Sequence, residues 1–260
     1  MRLIRPRFTV AELSAIFAVV GFLFTTGGAH GAIARHDRAV PILMYHVIAD
    51  APDGAAYGNL FVRPDDFAAQ MHWLATHGYR AVTLHRVYEY WRHGLPLPAR
   101  PVVLTFDDGT MGQHVHALPV LRALHWPGVL NLKVNALSSP LSLPDWRVRA
   151  LLAAGWELDA HSLTHPDLRK LDKTALAFEL IESKAAVERI TGRPCRTFAY
   201  PYGLYDERVV QAVADAGYEL AFGWLPGPWR PLEAPRVPAP PRHGARRLAL
   251  KLAGLRRRGR

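Results

Sequence analysis

From about residue 40 onward, short apolar runs alternate with segments whose apolar residues recur at helical spacing. "PILMYHVI" (41–48) is an apolar run of strand type. "PDDFAAQMHWLATHG" (64–78) follows, with Phe67, Met71 and Leu74 on one helical face, Pro64 at its start and Gly78 at its end. "YRAVTL" (79–84) predicts a strand, with a short helix continuing to about Trp91. Beyond the proline-rich connector 94–101, "VVLTF" (102–106), "GVLNLKV" (128–134), "WELDA" (156–160), "RTFAY" (196–200) and "YELAF" (218–222) predict further strands. Helices are expected between them over 117–125, 145–155, 171–192 and near 206–216. The longest repeats Leu176, Leu180, Val187 and Ile190 at helical spacing. From Pro226 to Pro241 the proline content predicts a surface-wrapping segment without regular structure.

Strands that alternate with helices of this length make parallel βα units. About seven strands in one domain suit a closed or nearly closed (β/α) barrel, with an open doubly wound sheet as the competitor. In both, the loops at the carboxyl ends of the strands converge on one face, where sites are built. His46 ends the first predicted strand, "DDG" (107–109) follows "VVLTF", "HSLTH" (161–165) follows "WELDA", and "PYG" (201–203) follows "RTFAY". These polar groups should share a cleft.

The 260 residues carry a formal charge of +10, which by itself suggests a nucleic-acid partner. Its distribution argues against one. Residues 1–12 carry a net +2 and residues 242–260 a net +8, which leaves 13–241 neutral. Arg2, Arg5 and Arg7, an apolar stretch from Leu13 to Phe24 and the small residues of "AHGA" (29–32) and "AIA" (32–34) read as an export signal over 1–34. An uncleaved anchor is the alternative, although the apolar run is shorter than the roughly 20 residues a span needs. Either way a catalytic domain over 35–241 is expected to be periplasmic or extracellular. The tail 242–260 places Leu248, Leu252 and Leu255 on one face among basic residues, which suits either a helix on an anionic membrane surface or a solvated tail. The single cysteine, Cys195, excludes an intramolecular disulfide framework and a cysteine-rich metal site.

Two adjacent carboxylates at a strand end, Asp107 and Asp108, point in different directions, so one can bind a cation while the other stays free as a base. His161 and His165 can present two imidazoles from one tight loop. One carboxylate and two histidines make a three-ligand set of the catalytic zinc type, with positions open for water and substrate. Each piece alone has an ordinary explanation. Two aspartates before a glycine are common turn chemistry, and 13 histidines yield about one pair spaced by four by chance. Their joint placement at strand ends is the stronger signal.

"TFDDG", "HSLTH" and "YPYG", in this order, resemble the polysaccharide deacetylase family, carbohydrate esterase family 4 or the NodB homology domain, from about Pro41 to Pro238. The resemblance implies a deformed (β/α) barrel that removes acetyl groups from sugar polymers, most often from N-acetylglucosamine, with a divalent metal, usually zinc, with cobalt, nickel or iron as alternatives. By position, Asp107 resembles the general base, Asp108, His161 and His165 the metal ligands, and Tyr202, after Pro201, the donor of an oxyanion-hole N–H. "ILMYHVI" resembles the permuted, poly-N-acetylglucosamine deacetylase-like subgroup, which makes His46 the general acid. The C-terminal alternative, His243, lies in the basic tail. Trp224 and Trp229 are candidates to stack on sugar rings. The arginine that holds the base in many members is Ala199 here, with Arg196 a distant substitute. The expectation is an exported, metal-dependent N-deacetylase with an acetylated polysaccharide as substrate. An O-acetyl xylan-type esterase and a non-catalytic glycan-binding protein on the same fold are the alternatives.

Overall fold

The computed structural model describes residues 39–258 except 139–141, 225–229 and 242–243. The export signal, Trp229 and His243 lie outside the described residues.

The chain runs β1 (Ile42–Tyr45), β2 (Val47–Ile48), β3 (Phe61–Val62), α1 (Pro64–Thr76), β4 (Arg80–Ala81), α2 (Leu84–His93), β5 (Pro101–Asp107) and α3 (Leu118–Ala123). It continues with β6 (Val129–Leu132), α4 (Asp145–Ala153), β7 (Glu157–Ala160), α5 (Lys173–Thr191), β8 (Thr197–Ala199) and α6 (Glu207–Asp215). The last elements are β9 (Leu220–Gly223), β10 (Ala234–Pro235), β11 (Val237–Pro238) and α7 (Gly244–Arg258). Three of the helices begin where a side chain accepts a free N–H group. Thr83, Asp172 and Asp206 cap α2, α5 and α6 through the N–H groups of Arg86, Ala175 and Val209, each contributing about 1 kcal/mol.

The main sheet is parallel, in the order β10-β9-β8-β7-β6-β5-β1-β11, with β4 attached to β5. Its two ends belong to one extended stretch of chain, 234–238. β10 pairs with β9 and β11 with β1, and between them Arg236 N–H donates to Gly223 O at 3.2 Å. The sheet is therefore a nearly closed, deformed (β/α) barrel within a single unit over 34–260. This corrects the expectation for 226–241, because 234–239 is the barrel's closing strand. Its prolines, 235 and 238, alternate with the donors that matter, Arg236 and Ala239, so the missing N–H groups break no bond the ring uses.

Strand alternation sorts the side chains into two layers. Leu43, Tyr45, Leu104, Phe106, Leu130, Leu158 and Phe198 pack outward against the helices and form the apolar core. Tyr45, Phe67 and Phe106 meet there with ring centroids 5.2–5.9 Å apart. The other set faces the interior, and there the level nearest the carboxyl end is polar. Asp107 faces Asn131 in register, and Asn131 faces Asp159.

The basic tail is also corrected. A helix does form over 244–258, but Leu248 and Leu252 are buried in the core, beside α1, and Gly244 N–H donates to Asp66 Oδ1 at 3.1 Å. These two leucines of the stripe that would have entered a membrane are already covered.

Candidate active site

The strand-end rule places the candidates. Asp107 is the last residue of β5, His161 follows β7, Pro201 and Tyr202 follow β8, Trp224 follows β9, and His46 follows β1. All sit at the carboxyl end of the barrel.

Asp108, His161 and His165 converge. Asp108 Oδ1 lies 3.7 Å from Nε2 of each histidine, and the two Nε2 atoms are 3.2 Å apart. One ligand atom from each residue falls within 4.8 Å of the others, and no second such group occurs among the described residues. The set fits a divalent metal on a further ground. His161 Nδ1 lies 2.7 Å from Ala199 O, so the proton sits on Nδ1 and the Nε2 lone pair faces Asp108. Burial first, and His161 next, push His165 down to about 4, which keeps its imidazole neutral at pH 7 as a ligand must be.

The local backbone is held in an uncommon state to achieve this. Asp108, Ser162, His165 and Tyr202 all have positive φ, from 57° to 72°, a conformation that costs a non-glycine residue of order 1–3 kcal/mol and tends to mark functional sites. The surroundings over-determine it. Glu179, on the buried face of α5, accepts N–H bonds from Leu163 and Thr164 at 2.9 Å each and the Thr164 hydroxyl at 2.5 Å. Ser162 Oγ accepts His165 N–H at 2.9 Å. A carboxylate among Leu176, Leu180 and Ser183 on an otherwise apolar face was a readable sign of this clamp.

Asp107 has a different role in the geometry. Its Oδ1 accepts from Asn131 Nδ2 and from Arg236 NH1, both at 2.7 Å, and its Oδ2 lies 3.7 Å from His46 Nε2. Burial alone would raise its pKa, but Arg236, His161 and His46 outweigh that and hold the carboxyl well below its usual range. His46 is lowered by burial, against the pull of Asp107 and Asp108, and is neutral at pH 7. Gln113 straps this pair together, donating from Nε2 to Asp107 O at 2.6 Å and to His46 O at 2.9 Å. It sits at the start of a π-helical turn, Gln113–Ala117, directly after the aspartate loop. The turn can reach β2 because residue 112 is glycine, since a Cβ there would lie 2.1 Å from Ile48 O.

Arg236, Asn131, Gln113 and Glu179 were not anticipated. Arg236 answers the question left by Ala199. The guanidinium beside Asp107 comes from the closing strand, 129 residues away in sequence, while Arg196 pairs with Glu219 at 2.9 Å at the other end of the barrel. Tyr202 is exposed, its ring 4.5 Å from that of His165, and Pro201 is buried beneath it. Trp224 is exposed and lines a small hollow with His46, Asn59 and Leu60.

Comparison with known proteins agrees with this arrangement. The family model described as Polysaccharide deacetylase matches residues 94–221. The Bacillus anthracis protein BA0330, assigned to that family, is 30% identical, with a TM-score of 0.72 over 81% of this chain and 68% of that one. The chain belongs to the polysaccharide deacetylase family. The structure of the Streptococcus pyogenes deacetylase PplD in complex with acetate matches with 25% identity and a TM-score of 0.75 over 81% of this chain and 96% of that one. The Escherichia coli K12 poly-beta-1,6-N-acetyl-D-glucosamine N-deacetylase is 36% identical over 94 residues, 36% of this chain and 14% of that protein. The chain spans less than two thirds of the length of the curated relatives it matches. In this member of the family, Asp108, His161 and His165 form the one group among the described residues that could hold a metal ion.

Proposed function

We propose that the chain is an exported, metal-dependent N-deacetylase acting on N-acetylglucosamine polymers of the poly-β-1,6-linked type. The observation that carries this reading is the pairing of two sites at one barrel end. Asp108, His161 and His165 form a ligand triad, and Asp107 with His46 forms a proton-handling pair beside it. The similarity to the E. coli N-deacetylase favours the substrate class, and the basic and apolar segments of residues 1–34 favour export.

A divalent ion held by Asp108, His161 and His165, zinc or alternatively cobalt, nickel or iron, would acidify a water and polarise the acetyl carbonyl. Asp107, ionised at neutral pH, takes a proton from the attacking water as the new C–O bond forms. His46 Nε2 stands 3.7 Å from Asp107 Oδ2, so that proton reaches the neutral imidazole through one water. His46 then delivers it to the nitrogen as the C–N bond breaks, giving acetate and a free amine. The Tyr202 N–H stabilises the developing oxyanion, and Trp224, beside His46, offers an exposed ring for the sugar.

Acetate release from poly-β-1,6-N-acetylglucosamine oligomers and from acetylated xylan, before and after chelation and with single metals restored, tests this. Chelator-sensitive release from the amide substrate is expected. Release from xylan alone would transfer the assignment to an O-acetyl esterase. Full activity in a rigorously chelated sample would end the metal reading.

A further inference from the structure

The end of the barrel opposite the active site carries a feature the reaction does not use. A cavity of about 390 Å³ opens between α2, the bases of β7 and β8, and the ends of α4 and α5. Glu157, Asp159 and Thr197 line it from the barrel interior, and Tyr88, Trp156 and Ile190 supply apolar wall. Glu157 begins β7 and His161 follows its end, so four residue steps, about 13 Å, separate the two regions.

The cavity's polar atoms are incompletely matched. Asp159 is 3% and Thr197 1% exposed, and beyond the Thr197 hydroxyl beside Asp159 neither Asp159 Oδ2 nor Thr197 Oγ1 has a hydrogen-bond partner among the described residues. Asn131 Oδ1, the cross-strand neighbour of Asp159, is likewise without a partner. Both carboxylate oxygens of Glu157 accept the His85 N–H, at 3.0 Å each, with the Leu84 N–H and the Thr83 side chain beside them. Among the described residues no lysine, arginine or histidine side chain lies within ion-pair distance of either acid, although His85, Arg193 and Arg196 also line the cavity, with Arg196 paired to Glu219 at 2.9 Å. Two carboxyl groups stand two residues apart on one face of one strand, with no cation of their own.

We propose that this cavity is a second ligand site, for a small organic molecule carrying a primary ammonium group. Three N–H donors on one positive centre match the unpartnered oxygens of Asp159 and Thr197 and one oxygen of Glu157. A positive charge would offset the cost of ionising two buried acids side by side, which a neutral ligand would leave in place and an anion would worsen. The Arg196 guanidinium already lies over the Tyr88 ring, 5.7 Å from its centroid, so the aromatic surface such a cation favours is that of Trp156. A transition metal suits the cavity less well, because the described acids, Cys195 and His85 are not brought together as a coordinating group.

The test uses the whole chain and non-sugar probes, butylammonium and putrescine, with 1-butanol as the neutral counterpart. Thermal unfolding and calorimetric titration are read for the wild type, Asp159→Asn, Thr197→Val and Asp108→Asn. The amines should raise Tm saturably, by roughly 5–10 °C near 100 times Kd, and butanol should not. Asp159→Asn and Thr197→Val should each weaken the amines about ten-fold or more, while Asp108→Asn should leave binding unchanged. No saturable effect of either amine, equal binding of butanol, or binding that survives both cavity variants would overturn the site. Loss of binding in Asp108→Asn alone would also overturn it, by placing the amine in the active-site cleft. Asp159→Asn preserves shape and Thr197→Val is a separate substitution, so one poorly folding variant does not spoil the result.

Discussion

Asp107 and Asp159 stand in the same ring of interior side chains, two strands apart, with Asn131 in register between them. Both are almost wholly buried. Their company differs. Asp107 receives the Arg236 guanidinium and the Asn131 amide at 2.7 Å each and is held ionised. Asp159 has no cation, and burial first and the Glu157 charge next raise it well above the usual carboxylate range, with only the nearby Thr197 hydroxyl opposing. Burial depth therefore does not decide whether an interior acid is a base at pH 7. What decides it is whether a neighbouring strand delivers a positive charge.

The largest effect that can break this contrast is on the reaction itself. Asp107→Asn removes the charged acceptor while keeping the shape and the Asn131 neighbour. It should lower acetate release about 10³–10⁴-fold with metal content unchanged by elemental analysis. Asp159→Asn, the same change two strands away, should leave the rate within about two-fold if the active site ends at the ring's Asp107 side. Equal losses in the two variants would mean that the interior acids act as one unit.

Next comes the charge that distinguishes them. Arg236→Met leaves Asp107 buried without its cation, and breaking a buried pair from one side costs about 3–5 kcal/mol. Denaturant unfolding should show that loss, and Asp107 should now behave like Asp159. Adding Asp107→Asn to Arg236→Met should recover most of the stability, because no uncompensated charge remains. If the double variant is no more stable than Arg236→Met, the guanidinium acts mainly by packing.

Arg236 also shows what could be read from the chain alone. The strand–helix alternation, the aspartate loop, the two histidines and His46 were legible because each depends on local pattern, apolar periodicity or residues a few positions apart. Arg236 was not, because its meaning lies in a partner 129 residues away and its strand is disguised by Pro235 and Pro238. The prolines point to irregular chain, yet the segment needs only alternate N–H groups to close the ring. Leu248 and Leu252 of α7 failed as a membrane signal for a similar reason. An amphipathic helix declares an apolar face but not what covers it, and here the barrel does.

Gln113 gives a smaller effect that sharpens the active-site half of the comparison. Its amide joins the backbone carbonyls of Asp107 and His46, so Gln113→Leu leaves both without that donor, at about 1–3 kcal/mol. kcat should fall roughly ten- to a hundred-fold with little change in KM, because the strap sets the spacing of the proton-handling pair rather than substrate affinity. In a His46→Ala background the further loss from Gln113→Leu should nearly vanish. A full, additive loss there would make the residue a general support of the loop.

The smallest expected effect lies at the other end of the barrel and is read against pH. Glu157 is pushed up to about 7 by burial, with the N–H groups of His85 and Leu84 opposing. An acid that binds its proton more tightly folded than unfolded stabilises the fold fully below its unfolded value, near 4.5. That contribution is lost as pH rises through about 7. A fully buried carboxyl with this shift would account for about 3 kcal/mol, but Glu157 keeps partial solvent contact, so on the order of 1–2 kcal/mol is expected. Urea midpoints of the wild type should therefore fall between pH 4.5 and 7.5, and those of Glu157→Gln should fall less by that amount. Asp107, already ionised throughout this range, contributes nothing to the slope, so Asp107→Asn should leave it intact. A slope that follows Asp107 instead of Glu157 would invert the assignment of charge between the two ends of the barrel.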